Sequence, residues 1–134
     1  MSHSRFTVTA GAIVTDNQNR VLLLKHRFRP GTGWGMPGGF LNDGEQPEAA
    51  LRRELREEVS LEVQDVRLFA TRTFKVPNQV EILFCCRPAG NTDALNFEIQ
   101  KAGWFSVNEL PAGLPSDQVE LIRQALNDGA ELRD

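Results

Sequence analysis

The stretch Trp34-Gly35-Met36-Pro37-Gly38-Gly39, followed after seven residues by Pro47-Glu48-Ala49-Ala50-Leu51-Arg52-Arg53-Glu54-Leu55-Arg56-Glu57-Glu58-Val59, sets a glycine-rich loop directly before an amphipathic helix. Pro47 suits the first turn, where its missing N–H costs little, and Glu45 and Glu48 complement the positive end of the helix dipole. At about 100° per residue, Glu57 and Glu58 fall about 60° and 40° to either side of Glu54, while Leu51, Leu55 and Val59 form an adjoining apolar stripe. Ala50 lies between the acids and leaves space. Arg53 stands one turn before Glu57 and can pair with it, whereas Arg52 and Arg56 fall on the far side as solvent charges.

Carboxylates clustered at the edge of a core repel one another and lose hydration, which raises their pKa values unless a cation joins them. Mg²⁺ prefers oxygen ligands, keeps several waters, and binds through a few carboxylates together with substrate phosphates. A solvated Glu-rich face is the ordinary alternative. The loop in front of the helix favours the metal, because its exposed N–H groups can cradle phosphate and its carbonyls can add a hard ligand.

Outward from this centre the chain alternates strands and helices. Phe6 to Val14 and Val21 to Lys25 read as strands, separated by the turn Asp16-Asn17-Gln18-Asn19. Arg29 to Gly39, with five glycines and two prolines, reads as a loop without regular structure, buried or facing a ligand because it carries Trp34 and Met36. Leu61 to Phe74 and Val80 to Cys86 are strand candidates around the turn Lys75-Val76-Pro77-Asn78, and Gly103 to Val107 is a shorter one. A second helix is expected from about Asp117 to Asn127, with Gly129 just past its end. The pattern predicts an α/β layered domain.

The 134 residues suffice for one domain spanning 1–134, and 40% hydrophobic with 25% charged residues is ordinary globular composition. A net charge of −3 argues against a general nucleic-acid binder, which needs surplus Lys and Arg. No apolar run approaches the roughly 20 residues that span a bilayer, and the first residues lack the apolar core of a signal peptide. Cys85 and Cys86 are adjacent, so on a strand they face opposite ways and read as buried free thiols. The expectation is a soluble cytoplasmic protein, monomeric or homodimeric, without membrane contact.

Gly39, then Glu45, then Arg53-Glu54-Leu55-Arg56-Glu57-Glu58-Val59-Ser60-Leu61, resembles the Nudix box of the Nudix hydrolases, and Trp34 to Gly39 resembles the usual lead-in. Six of the seven characteristic positions are filled at the family spacing; Ser60 stands where the family has its final glycine. That position, at the helix end, favours positive φ, where serine costs on the order of 1 kcal/mol. The resemblance implies an α/β/α sandwich with a mixed central sheet. It also implies hydrolysis of a nucleoside diphosphate linked to another moiety, with Mg²⁺ as cofactor and Mn²⁺ able to substitute.

Carried over by position, Glu57 would be the principal metal ligand. Glu54, Glu58 and the Gly38 carbonyl would complete the set directly or through water. Arg53 would orient Glu57, and Glu45 would support the loop–helix geometry. The family's general base varies in position; Glu98 is the best candidate and Glu81 the alternative, with an ordinary surface acid the competing reading for each. The basic cluster Lys25-His26-Arg27-Phe28-Arg29, through Arg27 and Arg29 above all, could meet the terminal phosphate or the linked moiety, with a solvated strand end the competing reading; the backbone of Gly39 could also meet phosphate. Phe74, Trp34 and Trp104 could stack on a base, with core packing the safer reading for Trp104.

Pro77 lies 16 residues beyond Leu61, a spacing found in nucleoside-diphosphate-sugar members of the family. It tilts the substrate towards ADP-ribose or a related sugar nucleotide. Alternatives are a nucleoside triphosphate pyrophosphohydrolase that cleans ordinary or oxidised dNTPs, and, in another class, a non-catalytic nucleotide-binding regulatory module. Removal of a 5′ diphosphate from RNA would call for a basic channel, which the net charge disfavours.

Overall fold

A computed structural model describes residues 3–131. In chain order it comprises β1 (Thr7–Val14), β2 (Val21–His26), β3 (Trp34–Gly35), β4 (Gly38–Phe40), α1 (Pro47–Val59), β5 (Val63–Lys75), β6 (Asn78–Pro88), β7 (Ile99–Phe105) and α2 (Ser116–Glu131). The mixed sheet runs β4-β1-β6-β5, with β1 parallel to β6 from Thr7 opposite Gln79 to Val14 opposite Cys86. The other pairs in it are antiparallel. The remaining strands form a separate antiparallel sheet, β3-β2-β7, and Thr15 bridges to Val21 between β1 and β2.

Strand alternation sends neighbouring side chains to opposite faces, and here both faces are covered. Ala10, Ala12, Val14, Leu22, Leu24, Phe84 and Cys86 pack with Ala50, Leu51, Leu55 and Val59 of α1. Ile13, Val21, Leu23, Leu83 and Cys85 pack with Ile122, Ala125 and Leu126 of α2. The two helices therefore flank the sheets in an α/β/α arrangement. Cys85 and Cys86 are buried free thiols on opposite faces, as expected; burial pushes both up, Cys86 to about 12.

The structure corrects four readings. The glycine-rich stretch does contain regular structure: β3 pairs with β2 and β4 with β1. Strand β7 begins at Ile99 rather than Gly103, because Ile99 docks in the α1-side core and lies opposite His26. Helix α2 continues past Gly129 to Glu131; one glycine in a helix interior costs only about 1 kcal/mol, less than its packed apolar face supplies. Arg52 is no free solvent charge, since its guanidinium donates to the Val63 carbonyl at 2.8 Å and to Glu48 at 3.2 Å.

At the end of α1, Ser60 adopts the left-handed conformation (φ 58°) expected at that position. Its N–H bonds the Arg56 carbonyl and that of Leu61 bonds Leu55, satisfying carbonyls the helix leaves open.

Candidate functional site

The site is built where β4 runs beneath the carboxylate face of α1. Strand β4 lies on β1 with Gly38 opposite Gly11 and Gly39 opposite Ala10. Gly38 has φ 149°, and a Cβ there would stand 2.3 Å from the Ala10 carbonyl oxygen. A Cβ on Gly39 would meet the Glu54 carboxyl group. Only glycines allow the loop to lie this close to both strand and helix.

Arg53 is the hub of the acids. It donates to both carboxylate oxygens of Glu45 at 2.8 and 2.9 Å, to Glu54 at 2.9 Å, to Glu57 at 3.1 Å and to the Phe40 carbonyl at 3.0 Å. Glu45 also accepts the Asn42 N–H, and the Arg53 bonds together with that one hold its carboxyl down at about 2. These contacts raise the pKa of Arg53 in turn, the Glu45 bonds foremost. Glu45 thus ties the loop to the helix.

Glu58 is held at both oxygens. Oε1 accepts the Gly38 N–H at 3.2 Å, and Oε2 lies 3.3 Å from Nε2 of the buried His26. Glu54 carries a raised pKa, caused first by burial and then by repulsion from Glu58, with Arg53 opposing.

Glu54, Glu57 and Glu58 open on one cavity of about 510 Å³, together with Gly38, Gly39, Arg29 and Glu98. Glu98 reaches it from the loop before β7, where its own N–H bonds the Asn96 side chain. Among the described residues Arg29 is the one Lys or Arg lining it; burial lowers its pKa and the Glu58 charge acts oppositely.

Other sequence candidates lie elsewhere. Arg27 lies outside the cavity lining, its Nε–H committed to the Phe97 carbonyl at 3.2 Å. Phe74 lines a separate hollow beside Pro77, with the Arg72 guanidinium 5.0 Å from its ring centroid. Glu81, bonded to Arg72, lines that hollow and also one shared with Arg29, Gly38, Gly39 and Phe40, adjoining the cavity of the helix carboxylates without entering its lining. Trp34 packs edge-on against Phe105 in the α2-side core, and Trp104 packs on the α1-side core.

Sequence reasoning singled out the arginines of the Lys25–Arg29 cluster and gave His26 and Phe28, which line this cavity, no role of their own. For His26 a signal existed. Leu22, Leu24 and His26 alternate on β2, so His26 falls on the strand face that packs against α1. The surrounding run of basic residues obscured it.

Among the described residues no three acidic, His or Cys side chains converge closely enough to hold a metal ion by themselves. The donors nevertheless suit a hard cation that keeps waters and takes part of its shell from substrate phosphate. They are carboxylate oxygens beside a loop backbone, and Glu54 bears the repulsion that a cation would relieve. Among the described residues no helix is long and apolar enough to cross a membrane.

Residues 5–125 match the family model of the NUDIX domain. The chain is 32% identical over 111 residues to the NAD-capped RNA hydrolase NudC of Pseudomonas putida (strain GB-1), covering 82% of this chain and 40% of that protein. It is 29% identical over 119 residues to NudC of Vibrio atlanticus, covering 87% and 44%. The chain spans less than half the length of these curated relatives. A NUDIX hydrolase from Nitrosomonas europaea superposes with a TM-score of 0.84 at 23% identity, over 97% of this chain and 75% of that one. The NUDIX domain of Shewanella oneidensis NrtR, solved with ADP ribose, superposes with a TM-score of 0.78 at 21% identity, over 94% and 90%. The structural likenesses speak for the fold, and the match over nearly the whole chain settles the family: this chain belongs to the NUDIX family.

Proposed function

We propose that this chain hydrolyses the diphosphate linkage of a nucleoside diphosphate derivative in the presence of Mg²⁺, with compounds of the ADP-ribose type, including NAD, as substrates. The observation that carries this is the single cavity where Glu54, Glu57 and Glu58 meet the backbone of Gly38 and Gly39, with Arg29 at its wall. Glu57, Glu54, Glu58 and the Gly38 carbonyl are the ligands proposed for the metal. When bound, the metal neutralises charge developing on the diphosphate oxygens and lowers the pKa of attached water.

The chain's own groups do the rest. Arg53 keeps Glu54 and Glu57 oriented through bonds to both. His26 and the Gly38 N–H fix Glu58 from two sides. Arg29, which makes no ion pair among the described residues, meets the negative charge of the diphosphate. Glu98, on the loop before β7, is proposed to take the proton of the attacking water. The names of the curated relatives support a diphosphate of the NAD type, and Pro77, 16 residues beyond Leu61, supports a sugar nucleotide. With Arg29 the one Lys or Arg of the described residues in the cavity wall, a small nucleotide suits the site better than a long RNA.

The test is a hydrolysis panel of ADP-ribose, NAD, a hexose-linked nucleoside diphosphate and several dNTPs. Each is run with Mg²⁺ and against EDTA, with products identified by mass. AMP and ribose 5-phosphate from ADP-ribose are expected. A tenfold preference for any triphosphate overturns the substrate class. No cleavage of any member, with binding retained, identifies a nucleotide-binding module instead.

A further inference from the structure

The cavity has a polar floor and an aromatic rim. Its floor of carboxylates and loop backbone is suited to a diphosphate and its cation, but a nucleotide also carries a flat ring that must go somewhere. Phe28 and Phe40 line the same cavity and are 68% and 59% exposed. Phe97, 75% exposed, lies against Phe28 with ring centroids 5.6 Å apart and planes inclined at 53°. A single exposed ring is ordinary, but aromatic rings left in water side by side around a cavity mark a surface that a ligand or partner covers.

The segment carrying Phe28 is also fixed in place. The backbone N–H of Arg27 donates to the Glu98 carbonyl at 2.8 Å, and its side chain donates to the Phe97 carbonyl. The loop it grips is anchored in turn, because the Asn96 N–H donates to the carbonyl of Glu58 at the end of α1. Arg27 is thus a latch between two loops, and Phe28 is a preorganised surface rather than a loose side chain. A ring docking on it loses little side-chain freedom.

We propose that Phe28, braced by the tilted ring of Phe97, is the stacking platform for a planar ring of the nucleotide substrate. This rests on the reading of the cavity as a diphosphate site. A phenyl face offers no hydrogen-bond donor or acceptor, so the platform selects for planarity and tolerates different bases or a nicotinamide-type ring. It thereby supplies affinity at the ring, while the floor binds what all candidate substrates share.

The test uses the intact protein with Mg²⁺ and the α,β-methylene analogue of NAD, in which carbon replaces the bridging oxygen and hydrolysis is blocked. Methylenediphosphonate, which has no ring, is the control for the floor. Proton NMR of the bound NAD analogue should show an upfield ring-current shift for one of its two rings. Phe28→Leu should remove that shift and weaken binding about tenfold, the low end of what one base–aromatic stack contributes. It should leave methylenediphosphonate binding unchanged, and Phe28→Trp should restore both shift and affinity. Equal weakening of both ligands by Phe28→Leu, or no effect on either, overturns the proposal. So does a concentration-dependent dimer that Phe28→Asp dissolves without any ring shift, which would assign this face to a second copy. Ring-shifted binding together with a silent hydrolysis panel would overturn the proposed reaction and leave the platform standing.

Discussion

A methyl group on Gly39 would stand 2.5 Å from the carboxyl carbon of Glu54, whereas one on Gly38 would stand 2.3 Å from the carbonyl oxygen of Ala10. The two clashes differ in kind. The Glu54 carboxyl is the mobile end of a side chain and can swing away, while the Ala10 carbonyl belongs to β1 and cannot. Gly39→Ala is expected to keep its melting temperature within a few degrees while displacing Glu54 and losing most activity. Gly38→Ala, which also imposes the unfavourable φ of 149°, is expected to lose more than about 1 kcal/mol of stability. Thermal melts and turnover of both variants check this; equal melting temperatures would contradict it.

Glu57→Gln removes a charged oxygen ligand and keeps the side chain's shape. Its side chain is about half exposed, so the fold should persist with an unchanged melting temperature. Turnover should fall well beyond tenfold, the equivalent of about 1.4 kcal/mol of barrier. Retention of more than about a tenth of the rate shows that Glu57 is not the principal metal ligand.

The Glu45–Arg53 bonds predict an acid-sensitive contribution to stability. The folded carboxyl sits at about 2, below its ordinary 4.5, so the folded state prefers the ionised form. That preference is fully present above the ordinary value and is lost as pH falls from there towards about 2. Melting curves between pH 6 and pH 2 should therefore show wild type losing its advantage over Glu45→Gln across this window. A gap between the two proteins that does not change with pH would refute the linkage.

His26 holds a carboxylate whose other oxygen is already bonded to the loop. Replacing it by Phe keeps bulk but leaves Glu58 Oε2 without its donor in a mostly buried setting, with about 1–3 kcal/mol of stability expected to go. His26→Gln, which retains an N–H, should lose less. Chemical denaturation of the two variants decides between this order and its reverse.

Ser60 combines left-handed backbone with a bond from its hydroxyl to the Ala94 carbonyl at 3.2 Å. Glycine relieves the first and forfeits the second. Because that bond is exposed, Ser60→Gly should be slightly stabilising, by a few tenths to about 1 kcal/mol, whereas Ser60→Ala keeps the strain, loses the bond and should destabilise. A clear drop in melting temperature for the glycine variant would give the hydroxyl the larger share.

Much of the site was legible because its parts are local. Glycine spacing, helix phase and an apolar stripe are relations among near neighbours, and backbone geometry alone converts them into positions. The bounds of α1, the left-handed Ser60 and the opposed faces of Cys85 and Cys86 all follow from such relations. The short strands β3 and β4 were not legible, since a glycine-rich segment becomes a strand only when β1 or β2 supplies its partner.

The sequence by itself determined the alternation of strands and helices, the carboxylate face of α1 and the glycines that let a loop approach it, because each depends on dihedral preference and periodicity within a few residues. Only the tertiary structure decided that His26 meets Glu58 across 32 positions, that Phe28 and Glu98 line one cavity with the helix acids, and that Phe74 falls in a different hollow. Those relations come from how β2, the loop before β7 and α1 pack against one another, and from where β5 carries Phe74. Packing joins residues by the surfaces they bury, irrespective of their separation along the chain.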